Sequence, residues 1–339
     1  MLLQIEDLVV SYRTRAGLVR AVDGVSLSIA AGQSVGLVGE SGCGKTTVTR
    51  ALLRILPPNG FIERGRVLLE GVDLTRLSAS EMRRVRWRRI AMVPQSAMNA
   101  LNPVLRVGDQ LVETIRIHEH VDAAAAWRRA EDLFERVGIE RRRLYDYPHQ
   151  FSGGMRQRVA IAMAIALQPA LLIADEPTTA LDVLVQDRIL NLLEQLRADL
   201  GLAFLYITHD VPVVAELCDA VAVMYAGKIV EFGPLAQVFG SPSHPYTMGL
   251  LRASPKPAAE QSELISIPGA PPNLVAPPRG CRFAERCPFA DDRCHLAEPP
   301  LEAVAPGHLA ACHFAADAPR MRQTMATGDA WARAFAGTP

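Results

Sequence analysis

The chain has 339 residues, 49% of them hydrophobic, and its 36 Lys and Arg balance 36 Asp and Glu. That length allows two domains and a sizeable core, while the balanced charge gives no global field to recruit nucleic acid or anionic lipid. No apolar stretch approaches the roughly 20 residues of a bilayer span, and the early acids Glu6 and Asp7, with no basic run before them, argue against a secretory leader. The expectation is a cytosolic or membrane-peripheral protein.

Residues 3–10 and 25–29 run apolar or alternate with β-branched side chains and predict paired strands. Tyr12 lies between them, an aromatic that can pack in the core or stack on a purine. Residues 34–38 predict a buried strand, followed by Gly39-Glu40-Ser41-Gly42-Cys43-Gly44-Lys45-Thr46 and a helical pattern through Thr47, Val48 and Leu52. Strand, glycine-rich loop and helix in that order form a phosphate cradle. The glycines let successive N–H groups converge on an anion, and the helix start adds unpaired donors and its positive dipole end. Lys45 is placed to reach the β- and γ-phosphates, and the Thr46 hydroxyl to ligate Mg²⁺. The sequence therefore predicts binding of a nucleoside triphosphate.

The helix after the loop is expected to stop at Pro57-Pro58-Asn59-Gly60. Residues 66–69 and 90–93 read as further strands. The basic run Arg83-Arg84-Val85-Arg86-Trp87-Arg88-Arg89 between them reads as a solvated helical face, since the chain's net charge is compensated. Gln95 follows the second of these strands, where an amide can reach a metal or a water beside the γ-phosphate. From about 105 to 150 the pattern turns helical. It ends in Phe151-Ser152-Gly153-Gly154-Met155, where Ser152 is a candidate N-cap for an apolar helix over 159–167. This is a second anion site. One phosphate does not need two cradles from one chain, so the second is assigned to a nucleotide held by another subunit.

Residues 171–176 read as a buried strand ending in Asp175 and Glu176, the first to hold Mg²⁺ through water and the second to polarise the attacking water. Ala180-Leu181-Asp182, an amphipathic helix over 184–200 and a buried strand over 203–207 follow. That strand ends at His209, which can contact the γ-phosphate or hold the water.

In their order these segments resemble the ATP-binding subunit of ABC transporters over about residues 1–240. The match covers the Walker A loop (39–46), the Q-loop (Gln95), the signature (151–155), Walker B (171–176), the D-loop (181–182) and the H-loop (His209). Tyr12 falls on the adenine-stacking aromatic. Phe151 and Met155 depart from the commonest signature, which has Leu and Gln there, whereas Ser152, Gly153 and Gly154 are kept. The resemblance implies an α/β fold, a P-loop ABC-type ATPase with a helical signature subdomain over about 97–165. It also implies that two such domains close head to tail over ATP and drive membrane permease subunits. Nucleotide contacts then fall on Tyr12, Gly39, Ser41, Gly42, Cys43, Gly44, Lys45, Thr46, Thr47, Gln95, Ser152, Gly153, Gly154 and Asp175. Catalysis falls on Lys45, Gln95, Glu176 and His209, and Mg²⁺ on Thr46, Gln95 and Asp175.

Residues 95–103 and 241–247 are similar to dipeptide/oligopeptide importer ATPases. That subfamily implies a second, non-identical ATPase subunit, two transmembrane permeases and an extracytoplasmic substrate-binding protein, with this chain at the cytoplasmic face of the inner membrane and no nucleic-acid partner. Relatives handle nickel, glutathione or peptide antibiotics as well. Residues 255–280 are Pro-rich and read as a linker. Beyond it, in a C-terminal extension over about 241–339, Cys281, Cys287, Cys294 and Cys312 are spaced C-x5-C-x6-C-x17-C. Without a C-x-x-C pair, four thiolates can still ligate zinc or an iron–sulfur cluster, and free thiols or a redox disulfide are the other readings. Resemblance to peptide-importer tails favours a [4Fe–4S] cluster, expected to pin a tail too short to build its own core.

Overall fold

The computed structural model describes residues 1–95, 100–179, 181–254, 267–326 and 330–331. Residues 96–99 of the importer-like stretch, Ala180 just before the D-loop and residues 255–266 of the expected linker lie outside the described residues. The elements run β1 (Leu3–Thr14), β2 (Gly17–Ile29), β3 (Ser34–Val38), α1 (Lys45–Leu52), β4 (Gly60–Leu69), β5 (Val72–Asp73), α2 (Ala79–Val85) and β6 (Ile90–Val93). Then come α3 (Val107–His118), α4 (Ala123–Arg136), α5 (Gly153–Ile165), β7 (Leu171–Asp175), α6 (Val183–Leu200), β8 (Ala203–Thr208), α7 (Val211–Leu217), β9 (Ala220–Tyr225) and β10 (Lys228–Pro234). The chain closes with α8 (Leu235–Gly240), α9 (Pro245–Ala253), α10 (Asp292–Leu296), β11 (Glu302–Ala305), β12 (His308–Ala310) and α11 (Ala318–Ala326). Among the described residues no helix is long and apolar enough to cross a membrane.

The contacts divide the chain into two compact units. The first takes residues 76–207 with 1–2 and 29–33. Its strands β6, β7 and β8 are parallel neighbours, in register Ile90 with Leu171 and Leu171 with Ala203. Every residue of β7 and β8 is buried, as expected of continuous apolar runs covered on both faces. Helices α3, α4 and α5 occupy the stretch expected to be helical. Ala126, Ala130, Leu133 and Phe134 form the buried stripe of α4 at helical spacing, and Asp122 caps its start by accepting the Ala125 N–H at 2.7 Å. The basic run is helical only as far as Val85. Trp87 then takes a left-handed φ of +69°, which turns the chain into β6.

The second unit takes residues 3–28, 34–75 and 208–339. It holds an antiparallel sheet in the order β2-β1-β4-β5 and a run of strands in the order β11-β12-β10-β9-β3. β3 pairs in parallel with β9, Val35 opposite Ala220. β9 and β10 form a hairpin whose tip, Ala226 and Gly227, has φ of +46° and +88°. Two left-handed residues in sequence match the twist of the flanking strands. Helix α1 ends well before the Pro57-Pro58 breaker. Arg54 turns left-handed at φ +50°, and its N–H and that of Ile55 close back on the Ala51 and Arg50 carbonyls at 3.0 and 2.9 Å, a helix-ending turn that needs no proline.

The tail joins this unit through pairing of β12 on β10 and through Tyr225, Tyr246 and Phe283, whose rings meet at centroid distances of 4.6 to 5.4 Å. The buried Glu231 carboxylate of β10 fastens the same region. It accepts the N–H groups of Ser243 and His244 at 2.6 and 3.0 Å and bonds His308 Nε2 at 2.7 Å.

Candidate functional site

The second unit holds the phosphate loop. Gly44 is the N-cap of α1 at φ +112°, and a Cβ there would stand 2.3 Å from the Ala21 carbonyl oxygen. At Gly39 a Cβ would stand 2.1 Å from the Met224 carbonyl oxygen, so β9 backbone closes one side of the loop. Around Gly42, at φ +78°, no described residue lies within 4 Å of such an atom. The loop is thus braced at both ends and open at its middle, as a cradle for an anion must be. Lys45 is buried, and its Nζ donates to the carbonyls of Gly39 at 2.6 Å and Glu40 at 3.0 Å, which holds the ammonium inside the curve of the loop. Cys43 is buried beside it, and burial pushes its thiol up, out of reach of easy ionisation.

Ser41, Thr46 and Thr47 continue this segment, and Thr47 Oγ1 lies 3.2 Å from the Tyr12 hydroxyl. The Tyr12 ring passes Gly60 so closely that a Cβ there would meet it at 2.7 Å. The aromatic is therefore fixed alongside the start of α1. His209 is exposed just past β8, and the turn it opens is tied by the Asp210 N–H donating to Thr208 Oγ1 at 2.9 Å.

The first unit carries the other expected residues. Asp175 is buried at the end of β7. Glu176 follows in a left-handed conformation, φ +45°, with its N–H donated to the Ile207 carbonyl at 2.7 Å. Its Oε2 accepts from Gln95 Nε2 at 2.7 Å and Thr179 Oγ1 at 3.0 Å. A non-glycine residue there is strained, and strain of this kind gathers where a side chain must be aimed. Ser152 caps α5, accepting the Met155 N–H at 3.3 Å, and Ser152 itself is exposed. Gly153 and Gly154 open the helix. A Cβ on Gly154 would meet Val185 Cγ1 at 2.4 Å, so glycine lets α6 approach the helix start. Asp182 caps α6 through the Val185 N–H at 2.9 Å, and Val183 and Leu184 stand exposed after it.

The structure thus joins Tyr12 to Thr47, Lys45 to the loop carbonyls, and Gln95 to Glu176. Sequence reasoning missed three groups. Arg286 grips Glu40 of the loop through two bonds of 2.8 and 2.9 Å, Arg282 binds Asp23 and the Ala226 carbonyl, and Glu231 gathers three donors. Glu231 had a local signal, an acid within the strand-like run Ile229-Val230-Glu231-Phe232 beside the Ala226-Gly227 turn. The arginine pairs had none.

The expected metal-pinned tail needs correction. Among the described residues no group of three or more His, Cys, Asp or Glu is placed to hold a metal ion. The tail is secured instead by packing and ion pairs shared with the rest of its unit. Cys281, Cys287, Cys294 and Cys312 nonetheless line one cavity with Phe283, Phe289 and Phe314. Burial pushes the Cys281 and Cys312 thiols up to about 11 and raises Cys287 and Cys294 too, so as free groups they stay protonated. His244, fully buried against the same cavity, is pushed down to about 3 by burial and is neutral, its Nδ1 accepting the Tyr246 N–H at 3.0 Å.

Known proteins agree with this picture. The ABC transporter profile matches residues 22–179, and that of the oligopeptide/dipeptide transporter C-terminal region matches residues 230–294. The oligopeptide transport ATP-binding protein OppD of Bacillus subtilis is 46% identical over 91% of this chain and 87% of its own length. Its namesakes in Salmonella typhimurium and Escherichia coli are 46% identical over 92% of this chain, covering 93% and 92% of their own lengths. Among solved structures, the dimeric post-hydrolysis ATP-binding cassette MJ0796 bound to ADP and Pi aligns with a TM-score of 0.62 at 26% identity, over 69% of this chain and 98% of that one. CbiO1 from Clostridium perfringens, part of the ABC transporter complex cbiONQ, gives 0.60 at 28% identity, over 70% of this chain and 90% of that one.

Proposed function

The chain belongs to the ATP-binding subunits of ABC transporters, in the branch carrying the oligopeptide/dipeptide C-terminal region, and we propose from this that it hydrolyses ATP to power oligopeptide import through a membrane permease pair. The observation that carries the reading is the 46% identity to oligopeptide transport ATP-binding proteins along more than nine tenths of the chain, tail included. Residues 1–240 act as the ATPase domain and 241–339 as the importer-type extension.

Hydrolysis is in-line attack of water on the γ-phosphate: the water oxygen forms the new P–O bond, and the bond to the β–γ bridging oxygen breaks. Glu176, held by Gln95 and Thr179, orients the water and accepts its proton. Lys45 and the N–H groups of Gly42, Gly44 and Thr46 stabilise the phosphates, and Tyr12 stacks on adenine. Thr46, Gln95 and Asp175 would offer hydroxyl, amide and carboxylate oxygens to Mg²⁺, hard donors of the kind it prefers, and the ion would supply neutralisation of charge developing on the phosphates. His209 contacts the γ-phosphate. Ser152, Gly153 and Gly154, a helix start with an exposed cap and no acid in its first turn, face the nucleotide of a second ATPase subunit, a non-identical relative. The permeases, an extracytoplasmic binding protein and a peripheral place at the cytoplasmic membrane face complete the assembly.

Co-purification from detergent-solubilised membranes tests the reading. A permease pair and a second ATPase should follow a tagged copy, and ATP turnover should rise when a binding protein loaded with peptide is added. Recovery of the chain alone from the soluble fraction would overturn the transporter reading. Stimulation by nickel or glutathione instead of peptide would overturn the solute.

The four tail cysteines carry a finer part of the proposal, ligation of a [4Fe–4S] cluster. The lining of one aromatic cavity by all four thiols supports it. Less than one equivalent of iron and acid-labile sulfide per chain, in anaerobically purified protein, would end it.

A further inference from the structure

Glu40 is the single acid in the phosphate loop, in a cradle built to receive a polyanion. Left alone, its carboxylate would repel the triphosphate and compete for the loop's own N–H donors. It is not left alone. Arg286, 5% exposed, places Nη1 and Nη2 on the two Glu40 oxygens at 2.8 and 2.9 Å, a bidentate fork that fixes direction as well as charge.

The guanidinium is itself held. Its Nε donates to the Pro268 carbonyl at 2.8 Å, Nη2 also reaches the Ile267 carbonyl at 3.2 Å, and Nη1 reaches the Tyr225 hydroxyl at 3.2 Å. Burial opposes the charge on Arg286, but the Glu40 and Tyr225 contacts outweigh it and hold the group cationic. The backbone of Glu40 is fixed as well, its N–H donated to the Tyr246 hydroxyl at 2.9 Å.

A second brace comes from the same short segment. Arg282, 7% exposed, bonds the Asp23 carboxylate and the Ala226 carbonyl. Ala226 leads into Gly227, whose N–H donates to the Cys43 carbonyl at 2.8 Å. The stretch Cys281-Arg282-Phe283-Ala284-Glu285-Arg286-Cys287 therefore touches the loop directly at Glu40 and, through the hairpin tip, at Cys43. Both arginines directly adjoin cysteines of the tail cavity.

We propose that Arg286 is a positioning residue for the ATPase reaction: it neutralises Glu40 and fixes the N-terminal half of the phosphate loop, while Arg282 braces its middle, so that the C-terminal extension sets nucleotide affinity. The inference rests on the ATP-binding reading above and is independent of what the cysteines hold.

The test is equilibrium titration of the full-length chain with a fluorescent ATP analogue and Mg²⁺, using Arg286→Gln, Arg286→Lys, Glu40→Gln and the double variant Arg286→Gln/Glu40→Gln. Arg286→Gln leaves Glu40 charged and unpaired, and affinity is expected to fall on the order of tenfold or more. Glu40→Gln alone should not weaken binding, because the charge it leaves unpaired, on Arg286, is cationic and attracts the phosphates. The double variant should recover most of the loss, since the repulsion goes with the carboxylate.

That recovery separates positioning from a merely structural contact, which would leave the double variant as weak as Arg286→Gln. Wild-type affinity in Arg286→Gln, or no recovery in the double variant, overturns the proposal. Should Arg286→Gln not fold, Arg286→Lys keeps the charge and loses the fork. A loss of a few-fold is then expected, and unchanged affinity overturns the role. Lys45→Ala serves as the control for the underlying reading. If that variant binds the analogue as well as wild type, ATP binding at this loop fails, irrespective of Arg286.

Discussion

Replacing Glu176 separates chemistry from folding more cleanly than any other change in the chain. The side chain is half-buried, and Glu176→Gln keeps an oxygen for the Gln95 and Thr179 donors now at 2.7 and 3.0 Å. Its effect on stability should stay within about 0.5 kcal/mol, as for a substitution that creates no cavity and buries no orphan. In the proposed mechanism, loss of the carboxylate removes the group that orients water and takes its proton. A drop of about 10³ in turnover is expected, equivalent to about 4 kcal/mol of transition-state stabilisation. Nucleotide affinity should hold, because the proposed role of the glutamate is on water and not on ATP. Glu176→Gly adds a second arm. At φ +45° a side chain costs about 1 kcal/mol that glycine does not, so this variant should be as dead as the glutamine one and no less stable in urea. Phosphate release by membranes containing the assembled transporter, read with urea midpoints of the purified chain, tests both arms. More than about a tenth of wild-type turnover in Glu176→Gln would refute the assignment, since groups of this kind are worth far more.

Glu231→Ala should cost about 3–5 kcal/mol, because it strands two backbone N–H groups and the His308 imidazole in a site with no solvent access. A loss below about 1 kcal/mol in urea unfolding would show that the carboxylate does not anchor the tail. At Gly44 the added methyl of an alanine meets the Ala21 carbonyl oxygen at 2.3 Å, whereas at Gly42 it meets no described residue within 4 Å. Gly44→Ala should therefore lower stability more than Gly42→Ala, for which only the left-handed backbone costs about 1 kcal/mol. Equal thermal midpoints for the two would contradict the loop geometry.

What the sequence reveals here depends on how far apart the interacting residues stand. The phosphate loop, the strand β3 before it and the strand β7 ending at Asp175 are legible because each is a local pattern, an apolar run or a glycine spacing. The cap at Ser152 is legible for the same reason, since it satisfies a donor only three residues away. The end of α1 is not legible because Pro57-Pro58 is a louder signal than Arg54, an ordinary arginine that takes the left-handed conformation. Arg286 and Glu40 stand 246 residues apart, and nothing near either one announces the other.

The tail shows why a composition argument failed there. Taken alone, some hundred residues with four cysteines look too small to fold without a staple, and metal is the usual staple for clustered thiols. That reasoning assumes the tail must supply its own core. In the structure Phe283 packs on Tyr225 and Tyr246, β12 extends the run of strands that contains β3, and Glu231 on β10 ties His308 of the tail to the start of α9. The staple is covalent continuity with a larger core. Arg282 and Arg286 each adjoin a cysteine of the tail cavity, and Arg286 carries that contact on to Glu40 of the phosphate loop.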